Sequence, residues 1–165
     1  MYDLDQTIVE RRSVRGFLSK PVSRDVLGEV LGLAQHAPSN CNVQPWRVYV
    51  ASGETTRTLR EALVAAVRSG EASAMTAPVD SFFGTYRDKQ VACAVELYGK
   101  MGIARDDRAG RNMAMLRNFE FFDAPHVAYV CMSKSFGIGV ALDVGMYVQT
   151  LMLAMRSRGV GSCAQ

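Results

Sequence analysis

The sequence has few of the residues that build metal sites or disulfide frameworks. Its 165 residues include two histidines, His36 and His126, and four scattered cysteines with no Cys-x-x-Cys pair. Histidines without a partner at ligand spacing do not predict a metal site. A chain of this length without a secretion signal does not predict a disulfide framework. We therefore expect structural histidines, free and mostly buried thiols, and no bound metal.

Strong net charge and long uninterrupted apolar runs are also missing. The formal net charge is +3, and the arginines are dispersed without stacking aromatics among them, which argues against a nucleic-acid partner. Residues 1–5 contain no apolar signal-peptide core. The most apolar stretch, residues 138–155, contains Asp143 and Gln149, so we expect a buried helix rather than a membrane span. These features predict a cytoplasmic protein without a membrane partner.

Composition and periodicity favour one globular domain. The chain is 48% hydrophobic and 21% charged, and its length fits a single domain. Apolar spacing predicts six helices, and β-branched runs predict two strands, the second of them central and buried on both faces. Two strands are few for a stable sheet, so we expect further chain or a second copy to complete it. The predicted helices cover about residues 4–12, 23–36, 55–69, 86–101, 106–120 and 140–158, and the strands residues 47–51 and 126–132.

A basic turn follows the first predicted helix. Residues 11–15 read Arg-Arg-Ser-Val-Arg, which places three guanidinium groups and a hydroxyl within five positions. The arginines repel one another unless an anion lies between them, and arginine binds phosphate with two parallel hydrogen bonds. A solvated basic turn without a ligand is the alternative. The pattern indicates a phosphate or carboxylate site.

A polar loop at residues 37–46, Ala-Pro-Ser-Asn-Cys-Asn-Val-Gln-Pro-Trp, leads directly into the first strand. Pro38 and Pro45 disfavour helix on either side of it, so we expect an ordered, extended loop. Its amide and hydroxyl groups supply both donors and acceptors, which suits the edge of a flat heteroaromatic ligand. A turn whose side chains cap their own backbone is the alternative. The polar residues are Ser39, Asn40, Asn42 and Gln44.

Three segments together resemble the flavin-dependent nitroreductase family. They are residues 11–15, residues 37–46 with their Asn-x-Gln-Pro-Trp sequence, and the Gly-Val-Gly-Ser-Cys run at residues 159–163. Their order and spacing match the family along the whole chain. Residues 121–125, Phe-Phe-Asp-Ala-Pro, and residues 143–146, Asp-Val-Gly-Met, also resemble it.

The resemblance implies an α+β fold with a small mixed or antiparallel sheet flanked by helices. It implies one FMN-binding domain over residues 1–165 and an intertwined homodimer with two FMN molecules at the interface. The implied activity passes hydride from NAD(P)H through flavin N5 to a nitroaromatic, quinone or similar flat acceptor by ping-pong kinetics. The cofactor carries this chemistry, so no catalytic nucleophile is expected.

The resemblance also assigns roles to the motif residues. Arg11 and Ser13, with Arg12 nearby, correspond to contacts at the phosphate end of FMN. Arg15 corresponds to a cation against the pyrimidine edge of the flavin, where it gives electrostatic support. The remaining positions correspond to contacts from the partner subunit (Pro38, Ser39, Asn40), groups that read the ring edge (Asn42, Gln44) and backbone near the flavin (Ser162, Cys163).

The sequence departs from the family pattern at its C-terminal end. Family members usually continue for several tens of residues past the Gly-x-Gly-Ser-Cys segment, and that tail supplies basic residues for the phosphate site. We therefore expect either a fragment or an incomplete cofactor site. Two other functions stay open: a flavin-sequestering protein without efficient turnover, and a family branch with changed redox chemistry such as dehalogenation. For Ser162 and Cys163, a glycine-rich strand start without a ligand is the alternative.

Overall fold

The computed structural model describes residues 3–70 and 81–165, which form two compact units. One unit joins Met1–Arg57 with Phe122–Gln165, and the other is Thr58–Phe121. The first unit contains the basic turn, the polar loop and residues 159–163. The small residues and Pro78 of residues 70–84 predict a loop that borders a substrate pocket. Most of that loop lies outside the described residues.

The described chain contains six α-helices and two β-strands in the order α-α-β-α-α-α-β-α, which confirms the predicted α+β class. Two 3₁₀ turns, Asn40–Asn42 and Phe121–Asp123, precede the two strands. The helices are α1 (Leu4–Glu10), α2 (Arg24–Ala34), α3 (Glu54–Ser69), α4 (Gly84–Lys100), α5 (Arg108–Phe119) and α6 (Ile138–Arg156), and the strands are β1 (Arg47–Ser52) and β2 (His126–Cys131).

Short polar side chains start several of these helices. The Ser23 hydroxyl accepts a hydrogen bond from the Val26 amide at 3.3 Å and so caps the start of α2. Asp3 caps α1 in the same way through the Gln6 amide at 2.7 Å. Such caps satisfy backbone donors that have no partner inside the helix, and each contributes about 1 kcal/mol.

The sheet of the described residues consists of β1 and β2 paired antiparallel, with Arg47 opposite Cys131 and Ser52 opposite His126. The small antiparallel sheet is therefore confirmed. The prediction that β2 is a central strand is wrong within this chain, because β2 has β1 as its strand neighbour and Tyr129 is exposed. An apolar run indicates that a strand is buried, but it does not tell whether the elements that pack against the strand belong to the same chain.

His126 anchors the end of this sheet. Its Nε2 accepts a hydrogen bond from the Val22 amide at 2.9 Å, and its Nδ1 lies 2.6 Å from the Ser52 hydroxyl. The imidazole therefore ties the segment before α2 to the last pair of the sheet.

The core of the first unit lies where α2 and the end of the polar loop pack against α6. Tyr147 of α6 is completely buried, and its ring stacks on Trp46 with the centroids 4.8 Å apart. Such aromatic pairs stabilise by about 1 kcal/mol beyond the area they bury. The cluster comprises Val30, Ala34, Ala37, Trp46, Tyr147, Leu151 and Ala154.

The remaining surface of α6 is less buried than the sequence predicts. Ile138 is 87% exposed and Leu142 71% exposed, so the expected burial on most sides is wrong within a single chain. Among the described helices, α6 is the one long and apolar enough to cross a membrane by length and composition. That criterion is weak evidence, because core helices of globular proteins also meet it, and α6 packs against α2.

The four cysteines are free, as predicted, but they are not buried. Cys41, Cys93 and Cys131 are exposed and Cys163 is partly buried. Thiols are among the most buried side chains in most proteins. Three of these four lie on surfaces that the single chain leaves open.

Candidate functional site

The basic turn begins directly where α1 ends. The Arg11 amide closes the helix by donating to the Thr7 carbonyl at 3.1 Å. The Arg12 guanidinium folds back and donates to the Val9 carbonyl at 2.8 Å. A cation at this end satisfies a carbonyl that has no partner inside the helix and complements the helix dipole. Arg12 therefore contributes to ending α1 as well as to the positive charge of the turn.

A cleft of about 210 Å³ opens beside the turn. Its walls come from the end of α1, the basic turn, the end of α6 and the segment that follows α6. Two of the predicted arginines and one of the predicted C-terminal residues therefore line one surface. The lining residues are Glu10, Arg11, Arg12, Val14, Arg156, Val160, Gly161 and Ser162.

An ion pair joins two walls of this cleft. Arg156 Nη2, on the last residue of α6, donates a hydrogen bond to the carboxylate of Glu10, the last residue of α1. That bond, with a second from the Gln6 side chain, holds the pKa of the Glu10 carboxyl below its usual range. Three arginines and one glutamate thus line the cleft. The excess positive charge, together with the Ser162 hydroxyl, suits an anion.

Close backbone contact aligns the basic turn with the segment after α6. Ser13 and Ser162 form a parallel β-bridge, and the Val14 amide donates to the Ser162 carbonyl at 3.0 Å. Gly161 packs so closely that an added Cβ would lie 3.1 Å from Val14 Cγ2. The turn and the Gly-x-Gly segment are distant in sequence and adjacent in space, with Cys163 following directly and Arg15 exposed two residues beyond Ser13.

The 37–46 loop is ordered, as the sequence predicts, but the prediction that it is extended is wrong over residues 40–44. Residues 40–42 form a 3₁₀ turn, and three residues without glycine's freedom adopt left-handed backbone: Cys41 (φ 49°), Asn42 (φ 55°) and Gln44 (φ 48°). Such conformations cost roughly 1 kcal/mol or more each and persist where surrounding contacts fix them. The contact that closes this turn is the Gln44 amide donating to the Ser39 hydroxyl at 2.9 Å.

Hydrogen bonds also attach the loop to its surroundings. The Asn40 amide donates to Asp143 Oδ2 of α6 at 3.1 Å. The Trp46 indole donates to Gln35 Oε1 at 2.9 Å, just past the end of α2. Ser39 thus caps backbone, as the alternative interpretation expected, whereas Asn40, Asn42 and Gln44 are exposed to solvent. The loop presents its amide side chains on a fixed backbone.

Ten of the eleven predicted site residues fall into two groups, and Arg15 follows the first group along the chain. One group surrounds the cleft: Arg11, Arg12, Ser13 and Ser162, with Cys163 beside them. The other is the 37–46 loop held against α6, with Pro38, Ser39, Asn40, Asn42 and Gln44.

Sequence reasoning gave no site role to three side chains at these places: Glu10, Arg156 and Asp143, the last of which it named only as part of the 143–146 segment. For Asp143 a signal was present, because it is the sole acidic residue within the apolar sequence of α6. Glu10 and Arg156 gave no local signal, since the pair joins positions 146 residues apart.

Comparison with known proteins identifies the chain. Residues 8–165 match the model of the Nitroreductase family. The 4-nitrobenzoate reductase of Pseudomonas putida is 36% identical over 163 residues, which is 99% of this chain and 72% of the relative. Nitroreductase NfnB of Mycolicibacterium smegmatis is 39% identical over 166 residues, which is 98% of this chain and 69% of the relative.

A solved structure agrees with both relatives. The crystal structure of the FMN-dependent nitroreductase NfnB from Mycobacterium smegmatis in complex with NADPH superimposes with a TM-score of 0.91 and 37% identity. The match covers 96% of this chain and 72% of that one. The resemblance carried by the basic turn, the 37–46 loop and residues 159–163 is thereby confirmed: the chain belongs to the nitroreductase family of oxidoreductases.

Proposed function

We propose that the protein is an FMN-dependent oxidoreductase that carries electrons from NAD(P)H to a nitroaromatic, a quinone or a similarly flat acceptor in a ping-pong reaction. The observation that carries the proposal is the cleft beside the basic turn, where three guanidinium groups outnumber one carboxylate. Two relatives support it further: one is named a 4-nitrobenzoate reductase, and the other is an FMN-dependent nitroreductase whose structure is a complex with NADPH.

The donor set of the cleft fits the phosphate end of FMN. Arg11 lines the cleft and Ser13 lies next to it through the bridge to Ser162, so a guanidinium and hydroxyls are available together. Arg12 adds charge while one of its nitrogens stays on the Val9 carbonyl. Gly161 lets this segment pack closely against Val14, which keeps the Ser162 backbone beside the basic turn. These residues hold the phosphate in the proposed complex.

The 37–46 loop suits the ring system. Asn42 and Gln44 expose both donors and acceptors on a backbone that the Ser39 and Asp143 bonds fix. In the proposed complex they read the edge of the ring, and Pro38, Ser39 and Asn40 reach the cofactor of the partner subunit. Arg15 holds a permanent positive charge against the pyrimidine edge, since a guanidinium does not lose its proton at working pH.

When bound, FMN takes hydride from a reduced nicotinamide and passes electrons to the second substrate. The residues of the chain bind the cofactor, orient it and place fixed charge where negative charge develops. Preorganised charge of this kind is often the largest single contribution of a protein to catalysis.

A homodimer is part of the proposal. Large apolar side chains remain exposed on α1 and α6, among them Leu4 (67%), Val9 (65%) and Leu142 (71%). Exposed apolar patches on this scale mark association surfaces. We place the dimer in the cytoplasm, where reduced nicotinamides are abundant.

An anaerobic visible-absorption titration tests the function. The purified protein, supplied with FMN, is expected to show flavin bands that bleach on addition of NADH or NADPH and return on addition of 4-nitrobenzoate. Bands that form but never bleach would indicate flavin sequestration instead. A protein that binds no FMN would contradict the proposed cofactor.

A further inference from the structure

We propose that Asp143 is a positioning residue that fixes the 37–46 loop for cofactor binding. The proposal rests on the proposed function, because it takes the loop to be part of the FMN site. Asp143 acts from α6 through the Asn40 backbone and does not itself contact the ligand.

The first observation is a carboxylate in an apolar place. Asp143 is 6% exposed, on a helix whose other buried residues are Tyr147, Leu151 and Ala154. Burying a carboxylate costs several kcal/mol unless hydrogen bonds compensate. Its Oδ2 accepts from the Asn40 amide at 3.1 Å, across 103 positions of sequence. A carboxylate placed at this position therefore serves to hold the loop.

The second observation is that α6 holds the loop at two points. Residues four apart lie on the same face of a helix, and Tyr147 lies four positions after Asp143. Asp143 binds the backbone at Asn40, and Tyr147 stacks on Trp46 at the far end of the loop. A rigid helix face thus fixes both ends of a short segment.

The segment between these anchors needs such support. Cys41, Asn42 and Gln44 all have left-handed backbone, which L-residues adopt only when surrounding contacts compensate the cost. Without the Asp143 bond, the turn next to Asn40 is free to relax toward ordinary backbone angles. The Asn40 and Asn42 side chains then lose their fixed direction, and the ligand has to order the loop when it binds.

Two substitutions separate positioning from simple core packing. Asp143→Ala removes the acceptor, and we expect FMN to bind about tenfold or more weakly, as for loss of a buried charged hydrogen bond. Asp143→Asn keeps an acceptor oxygen, and we expect affinity within about threefold of wild type. Asp25→Ala, which removes an exposed carboxylate from α2, is the matched control and keeps wild-type affinity. Affinity is measured by quenching of FMN fluorescence.

A measurement without cofactor tests the contact itself. In the cofactor-free chain, hydrogen exchange of the Asn40 amide, followed by NMR, is slow in wild type and Asp143→Asn and accelerates at least about tenfold in Asp143→Ala. Trp46 is the single tryptophan, so its emission reports whether the Tyr147 anchor and the core remain intact. We expect that emission to be unchanged in Asp143→Ala.

Several results would overturn the proposal. One is Asp143→Ala with wild-type FMN affinity and a slow Asn40 amide; another is Asp143→Asn that is as impaired as Asp143→Ala. If Asp143→Ala does not fold, the wild-type exchange rate decides, since an Asn40 amide that exchanges like a free one contradicts the contact. Failure of the proposed function looks different: wild type binds no FMN while the Asn40 amide is still protected.

Discussion

At the scale of single residues, Arg15 carries the most specific chemical role proposed for the chain. Its side chain is exposed directly after the Ser13 bridge, where it is free to meet a ligand without first breaking an ion pair in the described structure. The role differs from that of Arg11 and Arg12, which line the cleft. Charge at the ring should affect electron transfer, whereas charge at the phosphate should affect affinity.

We predict that Arg15→Ala slows the reduction of bound flavin by the nicotinamide about 100-fold, the usual cost of removing one preorganised charge at a reacting centre. The rate is read from anaerobic stopped-flow bleaching at saturating nucleotide. Arg15→Lys is the matched control and should retain part of the rate, because it keeps the charge and loses the planar geometry. An Arg15→Ala rate equal to wild type would rule out the electrostatic role.

Tyr147 presents a second residue-scale feature, a buried hydroxyl. The ring is completely buried, and its hydroxyl has no hydrogen-bond partner among the described residues. A buried polar group without a partner costs about 1–3 kcal/mol. Burial also raises the pKa of the Tyr147 phenol above its usual 10.0.

We therefore predict that Tyr147→Phe raises the free energy of unfolding by about 1 kcal/mol near neutral pH. Because the folded state resists ionisation of the phenol, the unfolded state loses its proton first, and wild type loses stability as the pH rises above about 10. Tyr147→Phe lacks this loss. Urea denaturation at neutral pH and at alkaline pH measures the free energy of unfolding of both proteins. Tyr49→Phe, at an exposed tyrosine, is the control. A Tyr147→Phe protein clearly less stable than wild type would mean that the hydroxyl has a partner.

At the scale of elements, the basic turn joins the end of α1 to the segment after α6. The bridge to Ser162 fixes the backbone of the turn, and the Glu10–Arg156 ion pair joins two walls of the cleft beside it. The arginine side chains are thus presented by a supported turn rather than a free loop. Under the proposed function, this placement is the reason to expect that the turn selects a ligand with a phosphate group.

We predict that Arg11→Ala weakens FMN binding about tenfold or more, by loss of a charge-assisted hydrogen bond to phosphate. Riboflavin has the same ring and no phosphate, so its weaker binding should be unaffected by the substitution. Titration of both ligands against wild type and Arg11→Ala measures the difference. If Arg11→Ala weakened the binding of FMN and riboflavin equally, the proposed contact between Arg11 and the phosphate would be contradicted.

The elements also show what the sequence could predict. Helices and strands were predicted within a few residues because caps such as Ser23 and apolar spacing are local signals. The left-handed turns at Cys41 and Phe122 were not predicted, since neither contains the glycine that usually marks such backbone.

Contacts between distant positions were beyond the sequence for a different reason. The Asp143–Asn40 and Glu10–Arg156 bonds join residues 103 and 146 positions apart, and neither has a periodic signature. The residues of the candidate site were predicted through motif resemblance, but which elements support them required coordinates. Burial of α6 was overestimated because the apolar periodicity identifies a face that needs burial but does not tell which residues, of this chain or another, pack against it.

At the scale of the whole molecule, the exposed apolar residues of α6 bear on assembly. Ile138 and Leu142 project from the first half of the helix, away from the core residues of its second half. A surface of this kind is stable in water when a second copy covers it.

We predict that wild type has twice the 18.1 kDa mass of one chain in light scattering. Leu142→Arg, which places a charge on that surface, should shift the mass to that of a single chain and abolish FMN binding, because the proposed site uses both subunits. Ser19→Arg, at an exposed polar position, is the control and should leave the mass unchanged. A single-chain mass for wild type with bound FMN would contradict the proposed dimer.

The division of the first unit between two stretches of chain has a consequence for synthesis. Ser52 and His126, which meet at the end of the sheet, lie 74 positions apart, so β1 leaves the ribosome about four to fifteen seconds before its partner strand is made. Throughout that delay the N-terminal stretch exposes apolar surface and an unpaired strand edge. It must therefore avoid aggregating with other proteins and with further copies of itself. The need for chaperone protection during translation should therefore be set by the timing of residues 58–121, and slow codons in that stretch should lower the yield of soluble protein more than the same codons placed after β2.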